Sequence, residues 1–547
     1  MSDFFEGSCQ AWTMHRAGLE AIGAGHYPEA AGLLRESVRM RPNCGRYRVN
    51  LAVALERMGM RVEAGDERRG LLEESVAESL EAIRLRPNCV DAITNMSLVL
   101  ESLGRVGEAF PHLERAVKLA PRSVIVAWCY AGALLKAGRW AEAADWYGRI
   151  LHRDPASDEA AGNLVSALSS AGRDAEALLV LYEILKRNPA SAIAWTNAGC
   201  IFRALGRNEA ALECLERAES IDPALANAPW SRSLVLLSLG RLTEGWAGYE
   251  YGLATGDRKP KRKLSHPRWD GSDLAGKTIL VRAEQGIGDH ITFAGMLPDL
   301  ERMGARPIVE CDHRLTPLFR RSFPWAEIIP QTAPVQPRAL DPDIDYDIEA
   351  ASLMQWLRPG IGSFPRHSGY LVPCPDRAAA WKERIGELGP GLKAGISWRS
   401  LKVSGVRSVD GTRLGQWGPI LTVPGVHWVN LQPGWTDGEL EEVGDLFDAA
   451  IHVWQEPDLK DHQDELAAMI SGLDLVVSML TVTAQMAGAL GVPTWVMPHM
   501  SGQGLWGLGT DHCPWQPSIR FFPCGVTEPW EAPIERLAAE LRRHFRV

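Results

Sequence analysis

Three stretches carry side chains whose types and spacing suit chemistry on a polar, anionic substrate. The first is Glu284-Gln285-Gly286-Ile287-Gly288-Asp289-His290, which follows an apolar run and precedes a helical pattern. Gly286 and Gly288 let the backbone turn tightly and approach a ligand, and the free N–H groups of the helix start suit an anion or a hydroxyl. Asp289 stands at that mouth, where a carboxylate acts as a general base; helix capping is the alternative reading. The third glycine of a dinucleotide fingerprint is missing, which argues against NAD. The second stretch is Ser397-Trp398-Arg399-Ser400 with Lys402, Arg407 and Ser408 beyond it. Forked donors beside short hydroxyls after a strand suit phosphate or carboxylate, the alternative being a solvated charged loop. The third runs from Ser478 to Gly491. Its Thr481 and Thr483 lie in a first helical turn, where hydroxyls and the helix dipole can stabilise a leaving phosphate or simply cap the helix. The alternating Asp341, Asp343, Asp345 and Asp347 attract no His or Cys and read as a polar loop entering a strand rather than a metal site. No Walker loop, G-x-S-x-G elbow or H-E-x-x-H occurs, which argues against nucleoside triphosphatase, lipase-type hydrolase and zinc-protease chemistry.

These stretches need strand ends to hold them, and the second half supplies strands. Runs at 277–283, 306–312, 392–398, 426–432 and 473–479 are short and rich in β-branched residues, with helical stretches such as RLTPLFRRSF between them. That alternation predicts parallel sheets with helical crossovers, cut into two Rossmann-like lobes near the Gly/Pro-rich stretch 375–391, with ligands in the cleft at the strand ends. The first half has another rhythm. Glycines at 25, 59, 104, 138, 172, 206 and 240 are spaced by 34 residues except for one gap of 45, and prolines at 42, 87, 121, 155, 189 and 223 keep the same phase. RVEAGDERRGL at 61–71 is the candidate insertion. Within the unit ending at Pro223, Ala211, Leu215 and Ala218 form one buried stripe, and small residues at Gly199 and Ala211 permit close helix approach. This is the 34-residue tetratricopeptide pattern, expected to build a superhelix with a protein-binding surface. Between the halves, Arg258, Lys259, Lys261, Arg262 and Lys263 read as a solvated linker, or else as a contact for an acidic or phosphorylated partner.

At 547 residues the chain exceeds one hydrophobic core, and 46% hydrophobic with 23% charged residues is the composition of a folded protein. A net charge of −10 argues against a dedicated nucleic-acid binder. Ten scattered cysteines without a C-x-x-C pair suggest reduced thiols rather than disulfides or zinc. MSDFFEGSCQAWTMHR lacks a basic head and apolar run, and no stretch is long and apolar enough to span a membrane, so a cytoplasmic location is expected.

With these motifs in view, the second half resembles the heptosyltransferase-type glycosyltransferases of family nine, which have a GT-B fold. The stretches that carry the resemblance are PRWDGSDLAGKTILVRAEQGIGDHITFAGMLP, GISWRS, VNLQPG, LDLVVSMLTVTAQMAGALGVPTWVM and DHCPWQPSIRFF. The whole layout is similar to bacterial protein O-glycosyltransferases, flagellin glycosyltransferases among them, in which repeats present a protein to the catalytic lobes. The resemblance implies an α-helical tetratricopeptide superhelix followed by an α/β GT-B-like pair of Rossmann-type lobes. The expected boundaries are about seven repeats over 1–254, a linker at 255–276, a first lobe at 277–385 and a nucleotide-sugar-binding lobe at 386–547. It implies an inverting, metal-independent transfer from a nucleotide sugar, without a cofactor, to Ser or Thr of a protein acceptor, with flagellin a candidate. Asp289 would be the base, with Gly286 and Gly288 shaping its loop. Ser397, Trp398, Arg399, Arg407, Gln432, Gly434, Thr481, Thr483 and Gln485 would lie on the donor side. Relatives commonly carry an Asp where Leu480 stands and a His where Gln485 stands, although members of the wider group vary here. Those departures point to a changed donor, or to the rival reading of a non-catalytic repeat adaptor; a carbohydrate or lipid-linked acceptor is a third.

Overall fold

The computed structural model describes residues 2–62, 65–259, 262, 264–400, 411–499, 511–526 and 528–545. The chain divides into two compact units, Met1–Pro189 and Ala190–Val547. The first is a run of helix pairs. Its turn glycines Gly25, Gly104, Gly138 and Gly172, like Gly206 and Gly240 in the second unit, have φ between 70° and 77°, a left-handed conformation that only glycine adopts cheaply. Serines set several helix starts: the Ser123 and Ser157 hydroxyls accept the N–H groups of Val126 and Ala160 at 3.3 and 3.2 Å. Gly59 breaks the pattern because its repeat is the longer one. It ends helix Gly45–Gly59, and the next helix, Asp66–Leu85, has 20 residues where Trp140–Arg153 has 14. Much of the insertion expected at 61–71 is thus extra helix rather than loop.

The second unit opens with more of the same repeats. A β-carbon on Gly199 would lie 2.5 Å from Leu215 Cγ, so the helices Ala192–Ala204 and Asn208–Ile221 close to a distance only glycine allows. Beyond them come two sheets, parallel throughout. The first contains β1 (Thr278–Arg282), β2 (Arg306–Cys311), β3 (Glu327–Pro330) and β4 (Tyr346–Glu349) in the order β3-β2-β1-β4. The second contains β5 (Leu392–Ser397), β6 (Val426–Asn430), β7 (Ile451–His452), β8 (Leu475–Met479), β9 (Thr494–Met497) and β10 (Ile519–Phe521) in the order β10-β9-β8-β5-β6-β7. All five expected strands are present. The others are short or at sheet edges, where too few residues alternate to give a signal. The aspartate run leads into β4 as a loop. Arg338 binds Asp341 and Asp343, while Asp345 accepts the Thr278 N–H and the Lys277 ammonium.

The seam at 255–276 differs from a solvated linker. Arg258 is fully buried, its guanidinium forked onto Glu284 at 2.7 and 2.9 Å and reaching Glu250 at 3.0 Å. Arg262 pairs with Glu310. The basic run therefore turns inward, at least at these two residues, toward carboxylates of its own chain; Lys261 and Lys263 lie outside the described residues. The last repeat also enters the sheet core. Leu237, Leu242, Trp246 and Tyr249 share one apolar cluster with Ile279, Val281 and Ile291, and the Trp246 indole N–H donates to the Arg358 carbonyl at 2.6 Å. The passage between sheets is made by the segment before Pro375, where Tyr370 and Leu371 donate their N–H groups to the Ala489 carbonyl. Helix Pro375–Gly386 then packs on helix Gln463–Ser471, with Trp381 donating to Glu465 at 2.8 Å. No helix among the described residues is long and apolar enough to cross a membrane.

Candidate active site

β1 delivers the chain into the loop 283–286 and then into helix Ile287–Ala294. Gln285 sits at φ 65°, and this tight turn is anchored from the repeat side: its N–H donates to the Lys259 carbonyl, and its side-chain amide donates to Tyr249 Oη at 3.1 Å. Glu284, the partner of Arg258, also accepts the Ala351 N–H at 2.7 Å. Asp289 is half-buried in the first helical turn, where its Oδ2 accepts the Gly286 N–H at 3.0 Å. It caps the helix and stands at the loop mouth at once. Its neighbour His290 is buried, with Nδ1 accepting the Asp312 N–H at 3.1 Å. Burial depresses its pKa to about 4, so the ring is neutral and carries its proton on Nε2.

On the other side, the expected donor residues divide into two groups. Gln432 is fully buried, and its Oε1 gathers the Ser397 hydroxyl at 3.2 Å and the Trp398 and Arg399 N–H groups at 3.0 Å each. Ser397, Trp398 and Gln432 thus bracket the ends of β5 and β6 together, and their polar atoms are used internally. Thr483 is also buried, its hydroxyl turned to the Leu431 carbonyl at 3.4 Å. Arg399, Gly434 and Thr481 remain at least partly exposed. Two arms of Arg399 are fixed by Glu439, at 3.2 and 2.8 Å, and by the Gly434 carbonyl at 2.8 Å. Burial opposes the charge on Glu439, but the hydrogen bonds from Arg399 and Trp398 outweigh it and hold the carboxyl below its ordinary pKa. Thr481 begins helix Val482–Ala489 without capping it: its hydroxyl lies 3.1 Å from that of Ser478, so the first-turn N–H groups receive no side-chain cap from it. Arg407, like Lys402 and Ser408, lies outside the described residues.

The two helix starts meet. A β-carbon on Gly288 would fall inside the van der Waals envelope of the Gln485 amide, so Gln485 fits the space that glycine leaves. Gln485 is 7% exposed and serves as a contact between the lobes. Gln516 donates to the Gln485 carbonyl at 2.9 Å and to Tyr370 Oη at 3.0 Å, and Tyr370 donates in turn to the Ile291 carbonyl at 2.8 Å. Gly491 has φ 79° and lies so close to the Ser368 carbonyl that no side chain fits. Asp289 and Thr481 are thereby carried to the same junction from opposite sheets. Sequence reasoning missed Tyr249, Tyr370, Gln516 and Glu439. Only Glu439 had a local signal, as the last residue of the capping box Thr436-x-x-Glu439; the others act across long sequence separations.

Comparison with known proteins identifies the repeat half of the chain. Tetratricopeptide repeat models match residues 15–64, 94–158, 131–192 and 192–225, which makes the N-terminal half a tetratricopeptide array. Protein FlbA of Caulobacter vibrioides (strain ATCC 19089 / CIP 103742 / CB 15) is 37% identical over 336 residues, covering 57% of this chain and 54% of its own length. The chain thus spans about half the length of that curated relative, and the matched stretch is longer than the helical array alone. Among solved structures, YrrB, described as a tetratricopeptide protein with an unusual peptide-binding site, is 20% identical with a TM-score of 0.31, covering 36% of this chain and 95% of its own. The type IV pilus biogenesis factor PilW is 16% identical with a TM-score of 0.34, covering 40% of this chain and 96% of its own.

Proposed function

We propose that the chain is an inverting glycosyltransferase with GT-B-like lobes, acting on a protein held by its repeats. The observation that carries this reading is the Gly288–Gln485 contact, which sets the helix bearing Asp289 against a helix start whose threonine does not cap it. In the proposed reaction an acceptor Ser or Thr hydroxyl gives its proton to Asp289 while its oxygen attacks the anomeric carbon, and the nucleotide leaves from the opposite face. The departing phosphate charge falls on the N–H groups at Val482 and Thr483, with the arm of Arg399 that has no partner among the described residues beside the same strand ends. Preorganised dipoles suffice here without a metal or cofactor. A nucleotide sugar and a protein acceptor, with flagellin a candidate, are the substrates that this reading requires.

The reading is tested by intact-protein mass spectrometry of candidate acceptors from cells with and without the chain. A sugar-sized mass that disappears with the gene, and returns with wild type but not with Asp289→Ala, supports it; masses that never change count against it. A second reading, a repeat adaptor with a vestigial cleft, draws on the internal partners of Ser397, Trp398 and Gln432 and on Leu480. A panel of nucleotide sugars separates the two, because only a competent cleft gains thermal stability from a donor.

A further inference from the structure

Within the first unit, a groove of about 890 Å³ opens between helices Trp140–Arg153 and Asp174–Arg187, the second helices of consecutive repeats. Its floor is apolar, with Leu164 and Leu168 at the base, and its rim leaves Leu179 67% and Val124 44% exposed. Large apolar side chains this open are ordinary singly, but two on the rim of one apolar groove mark a surface that something covers. The rim carries Arg149, Arg153 and Arg173 against Asp145 and Glu176, an excess of positive charge. Arg149 lies over the Trp146 ring at 4.6 Å, which orients its guanidinium, and Arg153 reaches the Arg122 carbonyl at 3.1 Å. Neither has a carboxylate partner among the described residues. Arg173 pairs with Glu176 at 2.7 Å and, across the groove, with Asp145 of the helix that carries Arg149 and Arg153 at 3.4 Å, which occupies both carboxylates.

We propose that this groove is where the repeats grip their partner, and that the gripped segment is an acidic, apolar stretch of a protein. An aliphatic or aromatic side chain seats on Leu164 and Leu168 beside Leu179. A neighbouring carboxylate meets Arg149 and Arg153, whose forked donors match it in plane. A basic segment would meet two unpaired cations in the same place and be repelled. The proposal rests on the reading that the repeats hold a protein, and not on sugar transfer.

The test is selection of a phage-displayed random dodecapeptide library on the full chain, followed by fluorescence polarisation with the enriched peptides and no sugar donor present. The expected winners carry net negative charge and at least one large apolar side chain. Arg149→Glu combined with Arg153→Glu should weaken them at least tenfold, and a peptide with its Asp and Glu changed to Lys should regain binding to that variant. Leu179→Asp should give a loss of similar size. All three positions are exposed, so circular dichroism should show unchanged folding, and Arg149→Gln is the milder control. Absence of enrichment, winners without acidic bias, or affinities indifferent to the charge reversal would each overturn the proposal. Because no donor is present, failure here leaves the Asp289 experiment untouched, and failure of transfer leaves this one untouched.

Discussion

Asp289 does two things in the structure, and substitution can part them. Asparagine keeps an oxygen to accept the Gly286 N–H but cannot take a proton, so Asp289→Asn should preserve the helix start and lower transfer by about 10²–10⁴-fold. Transfer rate and melting temperature measured together check this; normal transfer with an unchanged melt would remove Asp289 as the base. His290 makes the complementary case, a group that governs stability without being charged. Its pKa is about 4 when folded, because burial disfavours the cation, against about 6.5 when unfolded. Between those values the unfolded chain binds more protons, so stability is full above about pH 6.5 and falls as pH drops toward 4. The shift corresponds to about 3 kcal/mol by that linkage. Urea melts at pH 7 and 4.5 should show His290→Gln losing about 2–3 kcal/mol less than wild type between the two. Equal losses would mean that His290 is not the group responsible.

At the scale of elements, the decisive contact is one helix start against another. A methyl on Gly288 collides with the Gln485 amide, so Gly288→Ala should cost about 1–3 kcal/mol, as overpacking does. Shortening the opposing side chain relieves the collision. The double variant Gly288→Ala, Gln485→Ala should therefore be more stable than the sum of the two single changes, by about 1 kcal/mol or more in a double-mutant cycle. Strict additivity would show that the two helices do not meet in solution. This contact also shows how far the sequence was legible. The glycines of the first loop and the threonines at the helix start of the third stretch announced their own local structures, as did the 34-residue rhythm of the repeats. That Gly288 is glycine on account of Gln485, nearly two hundred residues later, has no local signature. The same holds for Gln432, which the resemblance placed on the donor side and whose partners are Ser397, Trp398 and Arg399 at the end of β5. Polar residues at strand ends look alike in sequence whether they bind a substrate or brace a loop, and only the closing of the sheet decides between them. The basic run at the seam misled for the related reason that its carboxylate partners, Glu284 and Glu310, are remote in the chain.

For the whole molecule, the division of the chain argues that its last repeats belong to the machinery of the sheets. Residues from Ala190 onward form one compact unit, in which Trp246 packs edge-on to Trp515 and Arg258 neutralises Glu284 beneath the Asp289 loop. A fragment of residues 190–547 retains all of these contacts and should melt cooperatively. A fragment of residues 270–547, cut beyond the seam, loses Trp246, Tyr249 and Arg258 together. Glu284, 1% exposed in the full chain, then loses its cation together with part of its cover, and breaking a buried pair costs up to about 3–5 kcal/mol. Gln285 also loses both anchors that hold its left-handed turn, the Lys259 carbonyl and the Tyr249 hydroxyl. A domain stable by about 5–15 kcal/mol has little margin for such losses, so the shorter fragment should lack a cooperative transition or aggregate. Calorimetry of the two fragments decides the matter. If the shorter one melts as sharply and at the same temperature, the seam is a tether; if it does not, the last repeat and the seam are part of the fold that holds the loop before Asp289, through Arg258 on Glu284 and the two anchors of Gln285.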